Sequence, residues 1–600
     1  MTVAGTQTLQ NFDTIDGGAG TDSLTATLTG GTVAPTLTSV ENIFARSVTG
    51  ASELDLQNAT GVEQVWTDRS QNDLTVSNLD SLSTIGAQNI ARSTGHTYTV
   101  RYDANTVAAA DTQAIVLNNA ALNLAVEQGA VGAELNTVRN VSIASEGDAN
   151  AVTFISDTAV ETNLVDSAAV QNITITGAAD LTVASQDDGT NTTALTAGTI
   201  DASEATGDVS ITIADAAGTN LATGVTQRTV TMGAGDDIVD ASGANLANSK
   251  IVGGEGRDTI IVDGASTTLV DDLVANVSGF EVLNLAGLTQ TVSAATMGNI
   301  GFESIVATNA NTGSVTNLTA ESDLTLVNTN AGADSITLSV AGAATNDNAE
   351  LNFATVGANG NNSTFNVTVA DVENLNVSTS ATDADTFRST ELSVTSTELE
   401  NLTVTGNEAV IFDGTGNTAL KSVDVSGVTA SNATDGDLTA DITVDDGVTV
   451  TGSAGDDKIT FGESNEITGG AGEDVFVASI VSVTAAGAPL FSTITDLKAN
   501  EDDSIEFGAA GTVLSTATTG TDVNIITEAD LGLAPGVNAT FANFLNAASE
   551  LTAGTVSGFE FAGNAYVVQD NEGTATTFNA ATDFIVELTG SVDLTEFTYA

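Results

Sequence analysis

The chain has 600 residues, 78 of them acidic and 12 basic, for a formal net charge of −66. That balance excludes nucleic acid and anionic membrane surfaces as favoured partners, because both are held by basic patches, and points to cations instead. With no cysteine, disulfides, thiolate catalysis and Cys-based metal sites are excluded as well.

Aromatic residues make up only 4% of the chain, too few to fill several thick cores, while 41% is hydrophobic, which argues against disorder. Small and β-branched residues dominate that apolar share and suit thin, stacked β-layers. The three prolines (Pro35, Pro489, Pro535) form no linker. No apolar run is long enough to span a membrane, and MTVAGTQTLQ at the start lacks the basic and apolar regions of a Sec leader. The expectation is a cytosolic protein or export by a route that ignores the N-terminus.

In chain order, the first marked element is GGAGTDSLT (residues 17–25), with Gly17, Gly18, Gly20 and Asp22 in the template G-G-x-G-x-D-x-U-x, where U is apolar. Glycine permits a positive φ and close backbone approach, as a tight loop with inward carbonyls requires. The aspartate adds a hard anionic oxygen, and the apolar residue anchors the strand that follows. Calcium takes six to eight oxygens, more than one such loop supplies, so two loops stacked a coil apart are needed.

A second element follows at once. Apolar-Glu-x-apolar occurs at residues 40–43, 62–65, 280–283, 302–305, 372–375 and 399–402, with Glu41, Glu63, Glu281, Glu303, Glu373 and Glu400. These glutamates are expected to be corner residues where the chain turns into a buried strand, rather than ligands. The interval of 22 from Glu41 to Glu63, repeated from Glu281 to Glu303, is what one coil per repeat produces.

Within VEQVWTDRSQND, Trp66, the sole tryptophan, stands near Asp68 and Arg69. A polysaccharide lyase or hydrolase site could be built there, but packing is the plainer reading. His96 is the only histidine, so H-E-x-x-H is impossible, and no G-x-S-x-G elbow is present. The chain is therefore not expected to be an enzyme.

Runs such as LTVSNLDSL, NITITGAADLTVAS, VSITIADAAG and FNVTVADVENLNVS alternate with period two and break at Gly, Asn or Asp, which predicts many short strands. Further nonapeptides punctuate them. MGAGDDIVD (residues 232–240, with Gly233, Gly235 and Asp237) precedes GGEGRDTII (residues 253–261, with Gly253, Gly254, Gly256 and Asp258) by 21 residues. TNAGADSIT (residues 329–337) is a degenerate copy with Asp334, and DGTGNTAL puts Thr418 where the aspartate belongs. GSAGDDKIT (residues 452–460, with Gly452, Gly455 and Asp457) precedes GGAGEDVFV (residues 469–477, with Gly469, Gly470, Gly472 and Asp474) by 17. Asp457 should stack on Asp474, and, at a looser spacing, Asp237 on Asp258. TFANFLNAASEL, residues 540–551, is the clearest predicted helix.

These nonapeptides resemble the RTX family of calcium-binding repeats, whose members leave the cell by type I (ABC-transporter) secretion using an uncleaved C-terminal signal. STITDLKANEDDSIEF (residues 492–507) is similar to the family's closing element, and the tail, free of Lys and Arg after Lys498, looks like the end of bacterial S-layer and large RTX proteins. The Ala/Thr/Asn-rich coils and V-E-N-L elements strengthen the likeness to type I-secreted S-layer proteins. One departure is that the first repeat begins at Gly17, where such proteins often carry a helical anchoring region. A matrix, a filament or a released assembly is therefore weighed beside a surface layer.

The expectation is an all-β chain forming an elongated right-handed parallel β-helix or β-roll solenoid with RTX calcium-binding turns. Its segments are a solenoid over 1–230, a calcium patch at 231–265, coils over 266–450, a tandem patch at 451–480, and a C-terminal β cap with secretion signal at 481–600. The expected function is that of a calcium-dependent, self-assembling S-layer or extracellular matrix subunit, secreted to the cell surface. Its cofactor is Ca²⁺, its main partner a second copy bridged by calcium, and cell-surface polysaccharide is a further partner. An RTX-type adhesin is the second reading, and a polysaccharide-active enzyme the third.

Overall fold

A computed structural model describes the chain apart from residues 1–5, 92–95, 105, 109–110, 130–134, 136, 157–162, 166–168, 188–190, 216–226, 309–310, 320–321, 329–333, 341–346, 356–362, 382–388, 430–437, 481–488, 509–511, 517–519 and 573–576. The chain is nearly all β, with 53% strand and 7% helix. The period-two runs are the reason. In Val209–Ala214, for example, Val209, Ile211 and Ile213 are buried while Ser210, Thr212 and Ala214 are not. The chain packs as two compact units, residues 1–286 with 297–303, and residues 287–296 with 304–600.

In the first unit the strands step alternately between parallel sheets. One runs Ser23–Leu28, Asn42–Ser47, Gln64–Asp68, Thr84–Ile90 and onward to Arg228–Thr231 and Ser249–Val252. Another runs Gly31–Val33, Ser52–Asp55, Leu74–Leu79, Thr97–Tyr102 and on to Ile238–Gly243 and Thr259–Asp263. The strand Thr112–Gln128 serves both, its first half pairing with Asn140–Glu146 and its second with Asn150–Ile155. Parallel neighbours in register place residues in columns, and the inward columns are built on Val, Ile, Leu and Ala with Tyr98, Tyr102 and Phe154 among them.

The second unit repeats the scheme. One sheet runs from Ser304–Thr308 through Asn374–Ala381 and Asn401–Gly406 to Ser492–Ile494, and a second from Ser314–Leu318 to Ser504–Phe507. Beyond them the pattern changes, because Thr555–Phe561, Asn564–Asp570 and Phe584–Leu588 form an antiparallel meander joined to Ser492–Ile494. The predicted helix is present as Phe541–Ala548, opened by a Thr540–Asn543 capping box. It packs Phe544 and Leu545 on Phe559 and Tyr566, which gathers much of the scarce aromatic content in one place.

Candidate metal centre

All six V-E-N-L glutamates stand at corners, each directly before a strand: Asn42–Ser47, Gln64–Asp68, Val282–Ala286, Ser304–Thr308, Asn374–Ala381 or Asn401–Gly406. The apolar residues on either side of each glutamate are buried, among them Val40, Ile43, Phe280, Leu283, Leu399 and Leu402. Three of these glutamates cap the coil before. Glu41 Oε2 accepts the Asp22 N–H at 2.7 Å, Glu281 Oε2 the Asp258 N–H at 2.8 Å, and Glu373 Oε2 the Asp347 N–H at 2.7 Å.

The nonapeptide aspartates occupy the same slot. Ile238 lies opposite Thr259 and Thr259 opposite Val282, so Asp237, Asp258 and Glu281 form one column. Each member accepts the backbone N–H of the one before it: Asp258 Oδ1 takes Asp237 N–H at 2.8 Å, and Asp237 Oδ1 takes Val209 N–H at 2.6 Å. In the second unit Asp474 Oδ1 accepts Asp457 N–H at 3.0 Å, and Asp503 Oδ1 accepts Asp474 N–H at 3.1 Å. Both expected pairs are therefore adjacent. Asp22 faces Glu41 rather than a second aspartate, and the loop before Asp334 lies outside the described residues.

The glycines let these loops lie directly on one another. Gly254 and Gly256 have φ of 126° and 129°, and a Cβ on them would stand 2.1 Å from the Gly233 carbonyl oxygen and 2.2 Å from that of Gly235. The first glycine of a loop faces its own aspartate. A Cβ on Gly253 would lie 2.6 Å from Asp258 Oδ2, and one on Gly452 2.7 Å from Asp457 Oδ2.

Burial charges these columns with strain of an electrostatic kind. Asp237, Asp258, Asp457, Asp474 and Asp503 are all at most 1% exposed. Burial pushes Asp474 up to about 8, helped by the neighbouring Asp457 and Asp503 carboxylates, and pushes Asp258 up to about 7, helped by Asp237 and Glu281. Burial likewise raises Asp457 and Asp503 to about 6, and Asp237 moves upward for the same reason.

Elsewhere buried asparagines accept backbone N–H groups between strands, and Asn465 directly precedes its strand in register with Glu400. Asn311, Asn417 and Asn465 are buried and accept the N–H of Leu288, Ser396 and Val448 at 3.0, 2.8 and 2.6 Å. Asn417 belongs to the degenerate DGTGNTAL loop. An amide thus meets the hydrogen-bonding demand of the corner without burying a charge.

The donor set is all oxygen, which suits a hard cation such as calcium rather than zinc or copper. Asp258 Oδ2 and Asp22 Oδ2 are buried and accept no hydrogen bond, so the Asp237–Asp258 column and the Asp22 corner have coordinating capacity that the loops leave unused. Among the described residues, however, no three Asp, Glu or His side chains converge as a group that could hold a metal ion. A cation here would rest on one or two carboxylates and on carbonyls of the glycine loops.

Sequence reasoning missed three acidic positions. Asp503 continues the Asp457–Asp474 column and accepts Lys498 N–H at 2.7 Å, while Asp496 clamps the N–H groups of Gly469 and Gly470 at 2.8 and 2.9 Å. Asp236 accepts Arg257 N–H at 2.8 Å on the outer side of the first column. The signal for Asp503 was in DDSIEF, an aspartate just before an apolar strand, as in the nonapeptides. No protein-family model matches the chain, and no curated protein does.

The corner role of the glutamates has its own test. Glu281→Ala leaves the Asp258 N–H without its acceptor and should cost about 1–3 kcal/mol in denaturant unfolding. Glu281→Gln keeps an acceptor and should cost under about 1 kcal/mol. Equal losses would mean that the charge, not the hydrogen bond, is what the corner needs.

Proposed function

We propose that the chain is a calcium-ordered structural protein of the cell surface or extracellular matrix. In this reading the stacked parallel coils form an elongated right-handed solenoid of the β-helix or β-roll type, whose copies assemble into a layer, matrix or filament bridged by calcium. The observation that carries it is the buried aspartate column. A corner of the same kind, in register with Glu400, is met by neutral Asn465, which accepts the Val448 N–H at 2.6 Å, so an aspartate adds a buried charge the backbone does not require. A divalent cation bound beside Asp237–Asp258 and Asp457–Asp474 would offset that charge. The net charge of −66 supports the same conclusion for contacts between copies, since two such surfaces approach only through bridging cations. Millimolar calcium of the kind these loops suit, with Kd about 10⁻⁴–10⁻³ M, is an extracellular condition, which supports a secreted protein. The RTX-like closing element and the tail free of basic residues after Lys498 support export by type I machinery.

Electron microscopy and circular dichroism on one sample test this, in calcium, in EDTA, and in EDTA with high NaCl. Ordered assemblies and the β-signal should be full in calcium and diminished in EDTA. They should be little restored by NaCl, which screens charge but completes no oxygen shell. Intact assemblies in EDTA would overturn the calcium reading. Dispersed particles in calcium would favour an adhesin-like binding module.

A further inference from the structure

We propose that the outward face of the sheet formed by Asn42–Ser47, Gln64–Asp68 and Thr84–Ile90 binds a neutral polysaccharide chain, with Trp66 as its platform. The inference is independent of the calcium columns. The three strands are parallel and in register, so Phe44, Trp66 and Gly86 make one column and Asn42, Gln64 and Thr84 the column beside it. A Cβ on Gly86 would fall 2.0–2.3 Å from indole atoms Cδ2, Cε2 and Cε3. Gly86 lies between the inward-facing Ile85 and Ala87, so that Cβ would point outward. The indole therefore lies across the glycine with one face on the backbone, beside Phe44. Trp66 and Phe44 are both partly exposed.

Two contacts hold the ring in this pose before any ligand arrives. Trp66 Nε1 donates to Gln64 Oε1 at 2.9 Å, and the Phe44 ring stacks on the indole at 5.7 Å between centroids and 26° between planes. A flat, preorganised aromatic surface rimmed by amides and hydroxyls matches a pyranose, whose axial C–H groups pack on the ring while its hydroxyls seek polar partners. At Thr84 the column adjoins a cavity of about 340 Å³ lined also by Glu63, Ser81, Ser83 and Thr112, which extends the polar surface along a chain-shaped ligand.

Charge favours a neutral glycan over a polyanion. On this face Arg46 donates Nε to the Arg69 carbonyl at 3.1 Å, and the Arg69 guanidinium is forked onto Asp68, with Nη2 2.9 Å from Oδ2 and Nε 3.1 Å from Oδ1. Glu41 and Glu63 stand at the corners of the same coils, and the whole chain carries −66. Uronate chains would meet that field unfavourably.

Because Trp66 is the sole tryptophan, tryptophan emission excited selectively over the four tyrosines reports on this site alone. The probes are maltohexaose, cellohexaose and mannohexaose, with oligogalacturonate as the anionic arm. A saturable change in emission with at least one neutral probe is expected. It should weaken at least tenfold in Gly86→Ala, whose added methyl lifts the indole but leaves the tryptophan in place. Should that variant fail to fold by circular dichroism, Trp66→Ala read by titration calorimetry takes its place, with the same tenfold loss expected. No saturable change with any neutral probe, a response to oligogalacturonate alone, or unchanged affinity in the variant would overturn the proposal.

Discussion

With calcium chelated, the protein should be more stable at pH 5 than at pH 8, and calcium should remove that difference. The sign follows from the folded-state pKa values. Asp474, Asp258, Asp457 and Asp503 titrate in the fold at about 8, about 7, about 6 and about 6, against about 3.9 in an unfolded chain. Between those limits the folded state binds more protons than the unfolded one, so stability falls as pH rises. It is greatest below about pH 4 as far as these groups are concerned, and is lost as pH climbs through 6 to 8. Ordinary ion-paired carboxylates behave in the opposite way. Calcium competes with protons for the same oxygens, so the loaded protein should show a flat profile over this range. At ten to a hundred times Kd each site adds roughly 1.4–2.7 kcal/mol, and the two columns together roughly 3–5 kcal/mol. That is a large share of a domain's usual 5–15 kcal/mol. Thermal melts at pH 5, 6, 7 and 8, in EDTA and in calcium, each with and without 0.5 M NaCl, make the measurement. High salt separates diffuse repulsion among the 78 acidic residues, which it screens, from the burial of the column, which it does not. Apo stability that rises from pH 5 to 8, with no response to calcium, would reduce the aspartates to plain acceptors.

A single methyl group should do comparable damage at Gly253. Its Cβ would stand 1.7 Å from the Gly279 carbonyl oxygen and 2.6 Å from Asp258 Oδ2. The first contact is backbone of the next coil, which cannot move aside without breaking the register that pairs Ser249–Val252 with Val277–Ser278. Gly253→Ala should therefore cost more than about 3 kcal/mol. It should also weaken calcium binding at the Asp237–Asp258 column, because the loop cannot close on its aspartate. Gly298→Ala is the matched control in the same unit. Gly298 lies in the helix Ala294–Asn299 with nothing within 4 Å of its would-be Cβ, so alanine there should stabilise by up to about 1 kcal/mol. Urea unfolding of both variants decides the matter. Equal, small effects would mean that the loops do not stack as closely as the Gly253–Gly279 approach implies.

Local chemistry alone determined much of this protein. Period-two runs such as VSITIA and NLNVS are strands because alternate β-branched residues can bury one face only when extended. The helix Phe541–Ala548 was legible in its helical spacing, and the V-E-N-L glutamates in their place before apolar runs. The pairing of Asp457 with Asp474 followed from two matching loops 17 residues apart. What only the tertiary structure decided is which corners share a column. Successive members are separated by 17, 21, 23 and 29 residues, since each coil carries a different length of loop. A period-two pattern fixes which face a strand buries, but it does not say which strand lies beside it or in what register. So the sequence showed glutamate corners and aspartate loops as two motifs, and stacking made them one slot in the column Asp237–Asp258–Glu281. It also hid Asp503 from the Asp474 column and Gly86 from Trp66. Twenty residues of chain separate that glycine from the indole lying on it, and only the parallel register brings them together.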